Sequence, residues 1–257
     1  MKKTKIEYTH GNSVARIILD DGKGNILDKT MMQELNHIFI EFRKKPDIKI
    51  ITFEGAGKHF SFGASVEEHT RENVKEMLSS FHKLFYNLME LSIPTLAKIS
   101  GQCLGGGNEL ALICNFLFAD KTAFLGQPEI LLGVYAPPAS ILLPLKIGSA
   151  RAEELLLTGK TIPAEKALDI GLLNGIFENK AALEEGLDRW ITKNILTKSA
   201  LSLRYAVKAS RVVFNRVLSE KLAELESLFL EGLMETHDAN EGIHSFMEKR
   251  KPVWTNK

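Results

Sequence analysis

The stretch Lys98-Ile99-Ser100-Gly101-Gln102-Cys103-Leu104-Gly105-Gly106-Gly107-Asn108-Glu109 joins an apolar strand to a helix through a run of glycines. Thr95 to Ile99 reads as the strand, and Glu109 to Cys114 as the helix. A helix that begins on glycines leaves its first N–H groups without partners. It also turns the positive end of its dipole toward whatever sits there. Glu109 is expected in the first turn, and a second carboxylate follows in Gly126-Gln127-Pro128-Glu129-Ile130. Free donors beside two acid–base groups suit an enzyme that stabilises an enolate while moving protons. Taken singly, each feature has a plainer reading. The glycines make a flexible loop, Glu109 is one of 32 acidic residues, and Pro128 starts a helix.

Outward from this centre, strand and helix alternate. Val14 to Leu19 is a strand that ends in the turn Asp20-Asp21-Gly22-Lys23-Gly24-Asn25. Asp28 suits an N-cap, and Met31, Met32, Leu35, Ile38, Phe39 and Phe42 then repeat at helical spacing up to Pro46. Ile48 to Phe53 is a second strand. Val74, Met77, Leu78, Phe81, Leu84, Phe85 and Leu88 mark the apolar stripe of a long helix, and Phe116 to Ala119 is a further strand. This alternation predicts an α/β layer architecture. Beyond Gly133, Arg151 to Leu157 and Ala164 to Asp169 read as short helices stopped by Gly159 and Gly171, and Leu172 to Phe177 as a last strand. From Ala181 the pattern is helical. Leu218, Leu222, Leu225, Leu228, Phe229 and Leu233 line one face, and Asp238 to Glu241 resembles a capping box. A tail with so much leucine is expected either to meet another subunit or to pack on its own first domain.

The chain of 257 residues is long enough to bury a substantial core, and its 44% hydrophobic and 25% charged content is ordinary for a globular protein. A net charge of +1 with no interleaved basic and aromatic patch gives no reason to expect nucleic acid or a membrane surface as partner. Cys103 and Cys114 form no C-x-x-C unit and are expected as buried free thiols. The seven histidines include no H-x-x-x-H pair, so no metal site is expected. The basic start Met1-Lys2-Lys3 is followed by no apolar region of a secretory signal, and a cytoplasmic location is expected.

Taken together, GKHFSFGAS (57–65), GQCLGGGNELALICNFLFAD (101–120), FLGQPEILLGV (124–134), LLLTGKTIPAEKALDIGLL and the tail EGIHSFMEKRKPVW resemble the crotonase (enoyl-CoA hydratase/isomerase) superfamily. The likeness runs from about Val14 to Trp254. It implies a spiral of repeated ββα units over residues 1–195 and a helical C-terminal trimerisation region over 196–257. It also implies acyl-CoA substrates and a homotrimer or homohexamer. Carried over residue by residue, the resemblance implies that the Ala64 and Gly106 amides form an oxyanion hole. Glu109 would deprotonate water and Glu129 would protonate carbon. Lys23, Phe62, Ser65, Val66, Glu67, Tyr135 and Pro137 would contact substrate. No cofactor is implied, since coenzyme A enters with the substrate.

Two departures stand out. Ser65 replaces the aspartate that most relatives carry after the Gly-Ala pair, and Val134-Tyr135-Ala136-Pro137-Pro138-Ala139-Ser140 replaces a glycine-rich loop. GASVEEH with GVYAPPAS is similar to the cyclohexa-1,5-diene-1-carbonyl-CoA hydratases of anaerobic aromatic degradation. That narrower likeness implies hydration of a cyclic dienoyl-CoA. The alternatives are a general enoyl-CoA hydratase of fatty-acid β-oxidation and, less favoured, an isomerase or an RNA-binding homologue.

Overall fold

The computed structural model describes residues 1–257. Thr4–Thr9 (β1) and Val14–Leu19 (β2) pair antiparallel, with Thr4 opposite Leu19. The sequence reading lacks β1, an edge strand whose alternating Thr, Lys and Glu give a weak apolar signal. Asp28 caps Lys29–Phe42 (α1) as expected, its carboxylate accepting from Met31 N–H at 3.0 Å. Ile50–Gly55 (β3) follows, then Val74–Leu91 (α2), whose predicted stripe is buried throughout. Thr95–Ile99 (β4) leads through Gln102–Leu104 (β5) directly into Gly105–Leu112 (α3). Phe116–Asp120 (β6) and Phe124–Gly126 (β7) come next.

The second half runs Pro137–Ile147 (α4), Ser149–Thr158 (α5), Thr161–Pro163 (β8), Ala164–Asp169 (α6) and Gly175–Phe177 (β9). Helices Lys180–Ile191 (α7), Ala200–Ser210 (α8), Val212–Ser227 (α9) and His237–Met247 (α10) complete the chain. A six-stranded sheet is ordered β1-β2-β3-β4-β6-β9, parallel from β2 onward, and a second sheet is ordered β5-β7-β8. Successive windings therefore give one long strand to the first sheet and one short segment to the second. β3 is answered by the Ser61 bridge to Cys103, β4 by β5, and β6 by β7. This is the expected ββα spiral. Every residue of β3 and β4 is buried, as parallel strands covered on both faces must be. The short strands of the second sheet carry too few residues to show a period, and β7 and β8 are not legible in the sequence.

Two expectations change in the C-terminal half. Thr236, not Asp238, caps α10, its hydroxyl accepting from Ala239 N–H at 3.2 Å. The Asp238 carboxylate instead accepts from the backbone N–H groups of Thr255 and Asn256 at 2.8 Å each, and folds the tail back along α10. Leu218, Leu222, Phe229 and Met234 are buried against the chain's own core, so these side chains follow the second of the two readings for the tail. Leu201, Tyr205, Val212, Val213 and Leu228 remain more than half exposed. No helix is long and apolar enough to cross a membrane.

Candidate active site

α3 starts at Gly105, four residues earlier than the apolar pattern alone suggests, which moves Glu109 from the first turn to the second. Gly105 has φ +50°, and a Cβ there would lie 2.7 Å from Glu129 Oε1. Only glycine lets the chain reverse into the helix while touching that carboxylate. Gly106 follows in the first turn, where its N–H has no intrahelical acceptor. Ala64 lies against it, with its nitrogen 3.2 Å from the place of a Gly106 Cβ. The Ala64 segment is set by Ser61, whose Oγ donates to Asn25 O at 2.7 Å and accepts from Gly63 N–H at 3.0 Å. The two amides of the proposed oxyanion hole thus stand side by side. At the far end of α3, Arg211 donates to the carbonyls of Ile113 and Cys114 at 2.9 Å each. Lys146 donates to Cys114 O at 3.2 Å. Two cations at the C-terminus complement the dipole whose positive end meets the site.

Glu109 is 3% exposed and its Oε1 accepts from Ala139 N–H at 2.8 Å. The reason lies in the two prolines. Tyr135 to Pro138 is not a free loop, because Pro137 and Pro138 open α4, where fixed φ and a missing N–H are tolerated. With neither proline able to donate, Ala139 is the first amide of α4 that can reach Glu109. Burial, and after it the charge of Glu129, push the Glu109 pKa well above the usual carboxylate range, while the Ala139 amide pulls it back. Burial pushes Glu129 up to about 7. Glu129 sits on a single 3-10 turn, Pro128–Leu132. The buried Gln127 amide lies against Glu129 and Gly105 O, and it satisfies them only with its nitrogen turned inward, where it would donate to the Glu129 oxygens at 3.1 and 3.2 Å and to Gly105 O at 3.3 Å. Sequence reasoning assigned Gln127 no role. Its place beside Pro128-Glu129 was the only signal.

Ala139→Pro is the local test of this arrangement. Proline fits the third position of a helix but removes the one N–H that Glu109 accepts. Turnover is expected to fall about 10–100-fold, consistent with losing a hydrogen bond to a buried charged group of about 1.5–3 kcal/mol. The acidic limb of the pH–rate profile is expected to move to higher pH. Unchanged turnover and profile would show that Ala139 does not tune Glu109.

These groups face one cavity of about 610 Å³. Phe62, Ser65, Val66, Glu67, Tyr135 and Pro137 all line it, together with Ala64, Gly106, Glu109 and Glu129. Lys23 does not: it is exposed in the turn before Phe62's packing partner Gly24. The backbone of that turn closes on Asp21, whose carboxylate accepts from the Lys23 and Asn25 N–H groups at 2.8 and 2.7 Å. Tyr135 contributes its ring alone, since its hydroxyl donates to Leu225 O at 2.6 Å. Phe229 meets that ring edge-on at 5.3 Å. Ser65 Oγ donates to Glu67 Oε2 at 2.8 Å, so a carboxylate still reaches the wall where relatives carry aspartate. The sequence reading missed His69 and the C-terminal residues Phe229, Ile243 and Phe246, which also line the cavity. His69, Ile243 and Phe246 stand inside the quoted stretches GASVEEH and EGIHSFMEKRKPVW, but nothing there marks them as facing a site, and Phe229 lies far along the chain. Cys103 and Cys114 are buried free thiols raised by burial, Cys114 to about 12, and take no part. No group of three or more His, Cys, Asp or Glu side chains is placed to hold a metal ion.

Amides at a helix N-terminus, a buried and a half-buried carboxylate with raised pKa values, and an apolar cavity beside them place the protein among enzymes that use crotonase-type chemistry. The chain belongs to the enoyl-CoA hydratase/isomerase family, whose profile matches residues 9–257. It is 40% identical over 253 residues to the cyclohexa-1,5-dienecarbonyl-CoA hydratase of Thauera aromatica, covering 98% of this chain and 97% of that one. It is 35% identical over 235 residues to a probable enoyl-CoA hydratase of Mycobacterium bovis, covering 91% and 90%. A solved enoyl-CoA hydratase from Mycobacterium avium subsp. paratuberculosis superposes with a TM-score of 0.86 at 22% identity, over 98% of both chains, and shows the shared fold.

Proposed function

We propose that the chain hydrates a conjugated cyclic dienoyl-CoA, cyclohexa-1,5-diene-1-carbonyl-CoA, to a hydroxycyclohexenoyl-CoA in aromatic degradation. The thioester oxygen sits on the Ala64 and Gly106 amides, which take up the negative charge that develops as the double bond is attacked. Glu109 orients a water and takes its proton while the hydroxyl oxygen bonds to carbon. Glu129 gives its proton to the neighbouring carbon. Coenzyme A arrives with the substrate, and the reaction requires no other cofactor. Two carboxylates whose surroundings hold one proton between them near neutral pH can serve as base and acid at once.

The observation that carries the choice of substrate is the wall made by Tyr135, Pro137 and Phe229. The ring of Tyr135 is pinned by its hydroxyl, and Pro137 is locked in a helix start. A flat ring fits such a wall more readily than a flexible chain that has to bend past it. The test is to measure kcat/KM for crotonyl-CoA and for the cyclic dienoyl-CoA with the same preparation.

The exposed apolar face of α8 and the start of α9, with Leu201, Tyr205, Val212 and Val213, supports assembly of the helical C-terminal region 196–257 into trimers or hexamers. Light scattering is expected to report three or six times the 28.7 kDa chain mass. A monomer at micromolar concentration would remove this part of the reading.

A further inference from the structure

His69 ends the 3-10 turn Val66–His69 and lines the cavity, five residues beyond the Ala64 amide. Its Nδ1 lies 2.6 Å from Ser65 O. A carbonyl oxygen only accepts, so Nδ1 carries the hydrogen and Nε2 keeps its lone pair. Burial lowers the pKa of the ring, against the opposing effects of the bond to Ser65 O and the charge of Glu67. No group of the chain hydrogen-bonds Nε2. The cavity therefore contains a fixed imidazole acceptor without a partner.

The chemistry of a thioester substrate limits what can meet it. The acyl half of an enoyl thioester is hydrocarbon and carbonyl, with no hydrogen to donate. The hydroxyl formed by hydration stays between Glu109 and Glu129. The first donor along the molecule is the amide N–H two methylenes beyond the sulfur, about 5 Å from the carbonyl carbon at ordinary bond lengths. The ring of His69 is pinned to the carbonyl of Ser65, the residue after Ala64. Adjacent Cα atoms are about 3.8 Å apart, so Nε2 is within about 10 Å of the oxyanion hole. We propose that Nε2 of His69 accepts a hydrogen bond from the amide of the coenzyme A arm nearest the sulfur, and so fixes the arm as the Ala64 and Gly106 amides fix the carbonyl. The proposal rests on the acyl-CoA reading of the site.

The probes are butyryl thioesters of ethanethiol, which lacks the amide, and of N-acetylcysteamine and pantetheine, which carry it. Binding is measured by calorimetry, so no turnover is needed. His69→Asn keeps a donor for Ser65 O but is too short to place an acceptor at the Nε2 position. It is expected to weaken the two amide-bearing thioesters about tenfold, the cost of leaving an N–H unpaired, and to leave the ethanethiol thioester unchanged. His69→Gln, whose amide oxygen reaches toward the Nε2 position, is expected to recover most of the loss. Equal weakening of all three thioesters, no weakening at all, or no recovery in the Gln variant would each overturn the proposal. Failure of the hydratase reading shows separately, as an unmodified protein that hydrates neither crotonyl-CoA nor the cyclic dienoyl-CoA.

Discussion

Glu129→Gln is expected to lower kcat by roughly 10²–10⁴, the range for loss of a positioned acid or base. KM should stay close to that of the unmodified enzyme, because the thioester carbonyl and the coenzyme arm are held elsewhere. The variant keeps the size of the side chain and the contact with Gly105, so the loss reports on the proton. The pH dependence carries the same information. Below both raised pKa values the pair is fully protonated and has no base; above both it has no acid. The unmodified enzyme should therefore show a bell-shaped profile centred well above the ordinary carboxylate range.

Stability should respond in the opposite sense. A carboxyl raised to about 7 in the folded chain binds its proton more tightly than in the unfolded chain. The stability it contributes is present at acidic pH and is lost as pH rises through 7. Thermal melts of Glu129→Gln should thus gain on the unmodified protein as pH rises from 5 to 8. Turnover near normal would remove Glu129 from the chemistry, and parallel melting curves would show that its proton is not held by the fold.

A second large effect is expected in substrate choice. The cyclic dienoyl-CoA should be hydrated with a kcat/KM about 10–200-fold above that of crotonyl-CoA, the scale on which a shaped apolar pocket discriminates by a methylene-sized misfit. Long straight-chain enoyl-CoA should react slowly. Replacing Tyr135 to Pro138 by glycines should narrow the gap. It would remove the ring pinned to Leu225, loosen the start of α4 and offer new amides near Glu109. If crotonyl-CoA is the better substrate of the unmodified protein, the general hydratase reading replaces the cyclic one.

The parts of this molecule legible in its sequence are those made by neighbours along the chain. Asp28 and α1 and the stripe of α2 are local patterns and fold as read, whereas the glycines before Glu109 form the first turn of α3 itself. The parts that were not legible depend on approach through space. Gln127 bridges Glu129 and the α3 turn, Ala139 meets Glu109 across 30 residues, and Tyr135 meets Leu225 across 90. The prolines show the difference well. In sequence they are two lost donors in a loop, whereas folded they begin a helix and select which amide reaches Glu109. Lys23, expected from the family likeness to contact substrate, lies outside the lining of the cavity.

The turn that carries Glu129 is backed by α10. A Cβ on Gly242 would fall 2.0 Å from Leu132 O, and the Trp254 ring lies against Gly133. Together with Phe229, these contacts mean that the cavity is completed by residues synthesised after both sheets. A nascent chain can assemble its sheets and bury α1 while the cavity wall that holds Phe81, Met77 and Leu78 still lacks Phe229, Ile243 and Phe246. At about 5–20 residues per second that interval lasts seconds, and it exposes an apolar face prone to association. Chains cut before Phe229 should therefore keep Glu109 and Glu129, show no hydration, and tend to aggregate.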